Sequence, residues 1–140
     1  MNNWLTWSLL SALFAGATAI LAKIGVTGVD SNFATAIRTT VILLFTWAIA
    51  SFSRSQWSFA NISSRTWLFL VLSGLATGLS WLCYFHALQV GLASRVAPVD
   101  KLSVALVILF GALFLGERLT LAKGVGGLLI VAGAITIALE

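Results

Sequence analysis

Five long apolar runs, separated by short polar connections, constrain the fold of this chain more than any other feature. The runs cover residues 4–24, 33–52, 67–88, 96–115 and 119–139. Each is close to the length of about 20 residues that an α-helix needs to cross the hydrocarbon core of a bilayer. Because the apolar residues are continuous rather than alternating, helices are favoured over barrel strands. The sequence therefore predicts an all-α membrane protein with five transmembrane helices.

The composition excludes a soluble protein. Of the 140 residues, 60% are hydrophobic and 9% are charged, whereas soluble domains contain about 25% charged residues. The net charge of +4 does not indicate a nucleic-acid-binding protein, since several of the eight Lys and Arg residues lie inside apolar runs. Five spans use about 100 residues, so we expect a single transmembrane domain over residues 1–140.

The connections contain local signals for helix ends. Asp30, Ser31 or Asn32 can cap the start of the second helix. Pro98 lies near the start of the fourth span, where it either occupies the first turn or interrupts the helix. Gly116-Glu117-Arg118 indicates a tight turn before the fifth span.

An odd number of spans leaves the two termini on opposite sides of the membrane. We name the side of the N-terminus the A side and the other the B side. The A-side connections carry four cations: Arg54, Arg65, Arg118 and Lys123. The B-side connections carry Arg95, and Lys23, Arg38 and Lys101 lie near the B-side span ends. Because the positive-inside rule counts both groups, the two sides are equal and the orientation stays open.

Ionisable residues within the spans are concentrated near the B side. They are Lys23, Arg38, His86, Asp100 and Lys101. At the helical rise of about 1.5 Å per residue, all lie within roughly 10 Å of that interface. Ionisable groups at such depth are typical of a polar cavity or a transport pathway. For Lys23 and His86 the alternatives are snorkelling to the interface and packing between helices.

The balance of these charges favours an anionic ligand. Asp100 and Lys101 are neighbours whose side chains lie about 100° apart on a helix, so we expect Asp100 to pair with Arg38 or Lys23 instead. Three cations against one carboxylate leave positive charge uncompensated, which favours an anionic group such as a substrate carboxylate. Trp81 and Tyr84 share a helix face with Thr77 and either line a cavity or pack within the bundle.

The sequence carries no motif of a known enzyme class. HExxH, GxSxG, a Walker A loop and CxxC are all missing. One histidine, one cysteine and one deep carboxylate do not suggest a metal site. We therefore expect no metal, no cofactor and no enzymatic activity.

The segment APVDKLSVALVILFGALFLGERLT (residues 97–120) and the following glycine-rich KGVGGLLIVAGAITIAL resemble the EamA domain of the drug/metabolite transporter superfamily. The resemblance extends over essentially the whole chain. It implies a five-helix repeat that pairs with an inverted second repeat and transports small metabolites, often amino acids, by alternating access. Helices 1–4 would line the cavity, and helix 5 with part of helix 4 would lie at the periphery or at a dimer contact.

The resemblance therefore predicts a secondary transporter of the inner membrane for small polar or amphipathic metabolites. Because this chain resembles one repeat, we expect a homodimer, either parallel or antiparallel. Arg38 and Lys101 would bind anionic groups or balance Asp100, which would also carry a coupling proton. Trp81 and Tyr84 would form apolar walls, and Lys23 and His86 complete the candidate site. The alternatives are a passive channel and an accessory membrane subunit.

Overall fold

The computed structural model describes residues 4–53 and 62–140, and helices joined by short turns make up this part of the chain. The helices are α1 (Trp4–Gly25), α2 (Ser31–Phe52), α3 (Ser64–Val90), α4 (Ala93–Asp100), α5 (Leu102–Phe114) and α6 (Leu121–Ala138). Within the described residues, five helical stretches are long and apolar enough to span a membrane, and α4 and α5 together form the fourth. The prediction of an all-α protein with five spans is confirmed. Arg54 lies outside the described residues.

The start of α2 shows how the sequence sets a helix boundary. Asp30 is the N-cap residue, and its Oδ1 accepts a hydrogen bond of 2.9 Å from the backbone N–H of Phe33. Such a cap satisfies one of the backbone donors that have no partner within the helix. Of the three candidate residues in this connection, Asp30 is the one that caps α2.

The hydroxyl groups of α2 bond to their own helix. Thr35 donates to the carbonyl of Ser31 at 2.7 Å, and Thr39 donates to the carbonyl of Thr35 at 2.7 Å. Thr40 and Thr46 make the same bond with the carbonyl four residues earlier. Because these groups are satisfied locally, a lipid-facing helix tolerates them without partners on other helices.

The fourth span is interrupted at Lys101. Pro98 lies inside α4 and has no N–H to donate to the carbonyl of Ser94. The N–H of Lys101 donates to the carbonyl of Pro98 at 3.0 Å, and the N–H of Val104 donates to that of Lys101 at 3.0 Å. Both bonds have the tighter three-residue spacing of a 3₁₀ turn. The span is therefore broken three residues after Pro98, and the predicted helix over 96–115 consists of two helices.

The chain divides into two compact units. The terminal unit comprises residues 1–21 and 90–140, and the arginine unit comprises residues 22–89. In the terminal unit, α6 packs against both α4 and α5. Among the described residues of the arginine unit, 22–53 and 62–89, the buried ones are Ala22, Val26, Ser31, Thr35, Phe85 and Leu88. They lie around the end of α1, the start of α2 and the end of α3. At the end of α3, Gln89 Nε2 donates a hydrogen bond of 2.8 Å to the carbonyl of Val29, in the connection before α2.

The turn between α5 and α6 explains the segment LGERLT. Gly116 has a φ of 69°, a left-handed conformation that glycine adopts without steric cost. The N–H of Glu117 then reaches back to the carbonyl of Gly111 at 3.1 Å. Thr120 caps α6 by accepting a bond of 3.3 Å from the N–H of Lys123. The LGERLT end of the segment that resembles the EamA domain is therefore a structural turn between α5 and α6.

Candidate functional site

Arg38 packs against two aromatic rings in the arginine unit. Its Cζ lies 4.5 Å from the ring centroid of Trp81 and 5.3 Å from that of Phe85. Both distances fall within the roughly 6 Å range of a cation–π interaction. Trp81 and Phe85 are four residues apart on α3 and therefore share one helix face. We name Arg38, Trp81, Tyr84 and Phe85 the arginine cluster.

The sequence of α2 directs Arg38 into its unit. Ser31 and Thr35 are buried, and Arg38 lies on the same face of the helix and is half-buried. At a rise of about 1.5 Å per residue, Arg38 lies roughly 10 Å along α2 from Ser31. The guanidinium is thus held well inside the span.

No acidic residue of the arginine unit is available to neutralise Arg38. Asp30 is the one Asp or Glu between residues 22 and 89, and its carboxylate caps α2. The aromatic rings contact the guanidinium, whose five N–H donors point outward in its own plane. This geometry suits an anion with paired oxygens, such as a carboxylate, which would bind along the N–H edge.

Tyr84 joins the predicted residues of the site. It is half-buried, lies three residues from Trp81 on α3 and interacts electrostatically with Arg38. A phenol combines an apolar ring with a hydroxyl that both donates and accepts hydrogen bonds. The structure therefore brings together three of the predicted residues: Arg38, Trp81 and Tyr84.

Lys23 caps the end of α3. Its Nζ donates a hydrogen bond of 2.6 Å to the carbonyl of Leu88, which is fully buried. Leu88 belongs to the last turn of α3, where carbonyls have no donor within the helix and the helix dipole favours a cation. Lys23 thus lies beside the α3 face that carries the aromatic rings, and it fixes the end of that helix.

His86 is not brought into the arginine cluster. It follows Phe85 directly on α3, so its side chain is turned by about 100° from the face of the rings. The side chain is exposed. Its predicted role in substrate binding stays a prediction.

Asp100 and Lys101 form an ion pair, so the expectation that these neighbours do not pair was wrong. Lys101 Nζ lies 3.1 Å from Asp100 Oδ2. The expectation assumed a regular helix, but α4 ends at Asp100 and Lys101 lies in the break before α5. The side chains of Lys101 and Asp100 are 56% and 35% exposed, respectively. The pairing of Asp100 with Arg38 or Lys23 stays a prediction.

Phe85 is the residue of the arginine cluster that the sequence analysis did not identify. It lies four residues after Trp81, so a search of the Trp81 helix face would have found it.

Among the residues that the structure describes, no group of three His, Cys, Asp or Glu side chains could hold a metal ion. The arginine cluster therefore presents a ligand with the Arg38 guanidinium and the aromatic rings beside it.

Comparisons with known proteins agree with this architecture. Residues 2–139 match the EamA-like transporter family. A Sinorhizobium sp protein named "Uncharacterized transporter in cobO 3'region" is 54% identical over 98% of this chain and 97% of its own length. The Bacillus subtilis (strain 168) uncharacterized transporters YxxF and YvbV are 27% and 34% identical, over 95% and 84% of this chain.

The chain spans only 42% and 38% of the two Bacillus subtilis proteins, less than half of each. No solved structure matches it. The family match extends over nearly all of the chain and includes every helix described above. This chain belongs to the EamA-like transporter family and is a multi-pass membrane transporter.

Proposed function

We propose that the chain is a subunit of a secondary transporter that moves small polar or amphipathic metabolites, such as amino acids, by alternating access. The observation that carries this proposal is the packing of Arg38 against Trp81 and Phe85. A substrate carboxylate would bind the N–H edge of the guanidinium, and the apolar part of the substrate would contact the rings. Ionisable residues inside membrane spans commonly mark such pathways.

The other predicted residues support this role in different ways. Trp81 and Tyr84 supply apolar walls, and Lys23 adds positive charge at the end of α3. Asp100 is only partly exposed and lies at the break in the fourth span, where it takes up and releases the coupling proton. Lys101 balances Asp100 or binds a second anionic group, and His86 contributes from the adjacent side of α3.

The working unit in this proposal is an antiparallel homodimer in the inner membrane. This chain is similar to less than half of YxxF and YvbV, so two copies approach the length of either protein. In transporters with inverted repeats, the substrate site lies at the interface of the two repeats. Two copies in opposite orientations would reproduce that arrangement.

Uptake into proteoliposomes tests the proposal. A thermal-shift screen of metabolites would first identify a ligand, because binding to the native state raises its stability. Saturable, proton-coupled accumulation of that ligand is expected for the wild type. Arg38→Gln should lower the initial rate at least about tenfold, which corresponds to 1.4 kcal/mol.

Arg65→Gln is the matched control. Arg65 is exposed in the first turn of α3, and its Cζ lies 5.8 Å from the ring of Phe69. Its variant should transport like the wild type. Flux that equilibrates without saturation would assign the chain to the passive channels, and the absence of flux would assign it to the accessory subunits. Equal rates for the two variants would remove Arg38 from the site.

Cysteine labelling in intact cells tests the orientation. Thr27 lies between α1 and α2, and Ser53 follows α2, so one span separates two exposed residues. In a Cys83→Ser background, Thr27→Cys and Ser53→Cys should both be labelled from outside, each in about half of the copies. Labelling confined to one of them would show a single orientation and contradict the antiparallel dimer.

A further inference from the structure

An apolar groove lies between α5 and α6 in the terminal unit. Its volume is about 210 Å³, and its walls include Ile108 and Leu109 of α5 and Gly124, Gly127, Leu128 and Val131 of α6. Gly124 leaves space on its α6 side, since a Cβ at this position would meet no atom within 4 Å, whereas Ile108 packs closely against Gly127 at the base of the groove. The groove is open to the outside of the chain, and Lys123 is the charged residue among its lining.

The groove has the length of one membrane leaflet. From Lys123 to Val131, α6 rises about 12 Å, and half of the hydrocarbon core measures about 15 Å. Lys123 lies in the first turn of α6, at the interfacial end of the fifth candidate span. The groove therefore begins near the level of lipid headgroups and continues toward the middle of the bilayer.

Positive charge dominates at the interfacial end. Lys123 Nζ lies 3.0 Å from Glu117 Oε2, and both side chains are about half exposed. Arg118, in the same turn, is exposed and adds a second cation. Two cations against one carboxylate leave a net positive charge where a lipid phosphate would lie.

We propose that this groove binds an anionic phospholipid. One acyl chain fills the space between α5 and α6, and the headgroup phosphate contacts Arg118 and Lys123. The positive charge at its interfacial end favours an anionic lipid over a second copy of the chain as the occupant. At about 100° per residue, Gly126 and Gly133 face away from Gly124 and Val131.

Two glycine variants of α6 test the site. A Cβ at Gly124 or at Gly126 meets no atom within 4 Å, so either position accepts a larger side chain. Gly124→Leu fills the groove, and Gly126→Leu places the same side chain on the opposite face. The full chain would be purified and mixed with phosphatidylglycerol or phosphatidylcholine of identical acyl chains, and bound lipid would be counted by native mass spectrometry.

The wild type should retain phosphatidylglycerol more strongly than phosphatidylcholine. Gly124→Leu should weaken retention of both lipids at least about fivefold, whereas Gly126→Leu should match the wild type. Arg118→Gln should reduce the preference for phosphatidylglycerol and leave phosphatidylcholine unchanged. Equal retention by the two glycine variants would overturn the groove as the site, and equal retention of the two lipids by the wild type would overturn the headgroup contact. A change of oligomeric state in Gly124→Leu with unchanged lipid retention would assign the groove to a second copy and also overturn the proposal.

Discussion

The charged side chains of the two units have different kinds of partners. In the arginine unit, Arg38 lies against aromatic rings, and the one acidic residue caps a helix. In the terminal unit, Asp100 and Glu117 each pair with a lysine, at 3.1 Å and 3.0 Å. The terminal unit thus balances these carboxylates locally, whereas the arginine unit keeps a cation that an anionic ligand can neutralise. Recognition of a substrate therefore belongs first to the arginine unit.

The buried residues of the two units differ as well. In the arginine unit, Phe85 and Leu88 are 3% and 0% exposed. In the terminal unit, the buried residues of α5 and α6 are small: Gly111, Gly127 and Ala134. Two large side chains are buried in one unit, whereas small residues of the other let neighbouring side chains such as Ile108 pack closely against the helix. Substitutions should therefore have their largest effects on stability in the arginine unit.

The largest effect is expected for Phe85→Ala. Removing a buried phenylalanine costs about 3–5 kcal/mol of unfolding free energy, and this ring also contacts Arg38. Phe69→Ala, on the same helix at a position 59% exposed, is the control and should change stability little. Reversible unfolding in mixed micelles would measure both. Equal losses would show that the arginine unit has no core of its own.

Lys23→Met should have the next largest effect. It removes the charged donor of the 2.6 Å bond to the Leu88 carbonyl, and hydrogen bonds to charged groups contribute about 1.5–3 kcal/mol. Amide hydrogen exchange should accelerate in the last turn of α3. Lys23→Arg, which keeps a cationic donor, should restore most of the protection. Unchanged exchange in Lys23→Met would mean that the lysine does not fix this helix end.

Gly116→Ala tests the turn of the terminal unit. A left-handed conformation costs about 1–2 kcal/mol for an L-residue, and Gly116 has a φ of 69°. The midpoint of thermal unfolding should therefore fall. Gly126→Ala, within α6, should instead raise it slightly, because alanine favours helix by about 0.8–1.0 kcal/mol over glycine. A lower midpoint for both would point to a general intolerance of larger residues.

The smallest effect is expected for the coupling between Asp100 and Lys101. Partly exposed ion pairs contribute about 0.2–1 kcal/mol, so a double-mutant cycle of Asp100→Asn and Lys101→Gln should give a coupling in that range. Asp100→Asn alone should nevertheless abolish proton-coupled uptake in proteoliposomes. A stronger coupling of Asp100 to Arg38 than to Lys101 would show that charged residues of the two units interact. That result would contradict the local pairing of carboxylates described above for the terminal unit.

The sequence predicted best those features that depend on the chemical type of a residue and on its position along a helix. Continuous apolar runs predicted the spans, and the depth of Arg38 and the face shared by Trp81 and Tyr84 marked the cluster. Phe85 was missed because the helix face shared by Trp81 and Tyr84 was not followed to the position four residues after Trp81. The partner of Lys23 is a backbone carbonyl 65 residues away, which no side-chain pattern reveals. The contact of Asp100 with Lys101 depends on a helix break, whose position Pro98 indicated only approximately.

The break at Lys101 also bears on how the chain fits membranes of different thickness. The fourth span is built from helices of 8 and 13 residues, and neither alone crosses a hydrocarbon core of about 30 Å. A continuous helix adapts to a thicker or thinner bilayer by tilting as a whole. We expect two segments joined at Lys101 to adapt by bending at the joint, so that α4 and α5 change their tilts separately. Asp100 lies next to that joint, so we expect a change of bilayer thickness to move its carboxylate less, relative to the membrane midplane, than either end of the span.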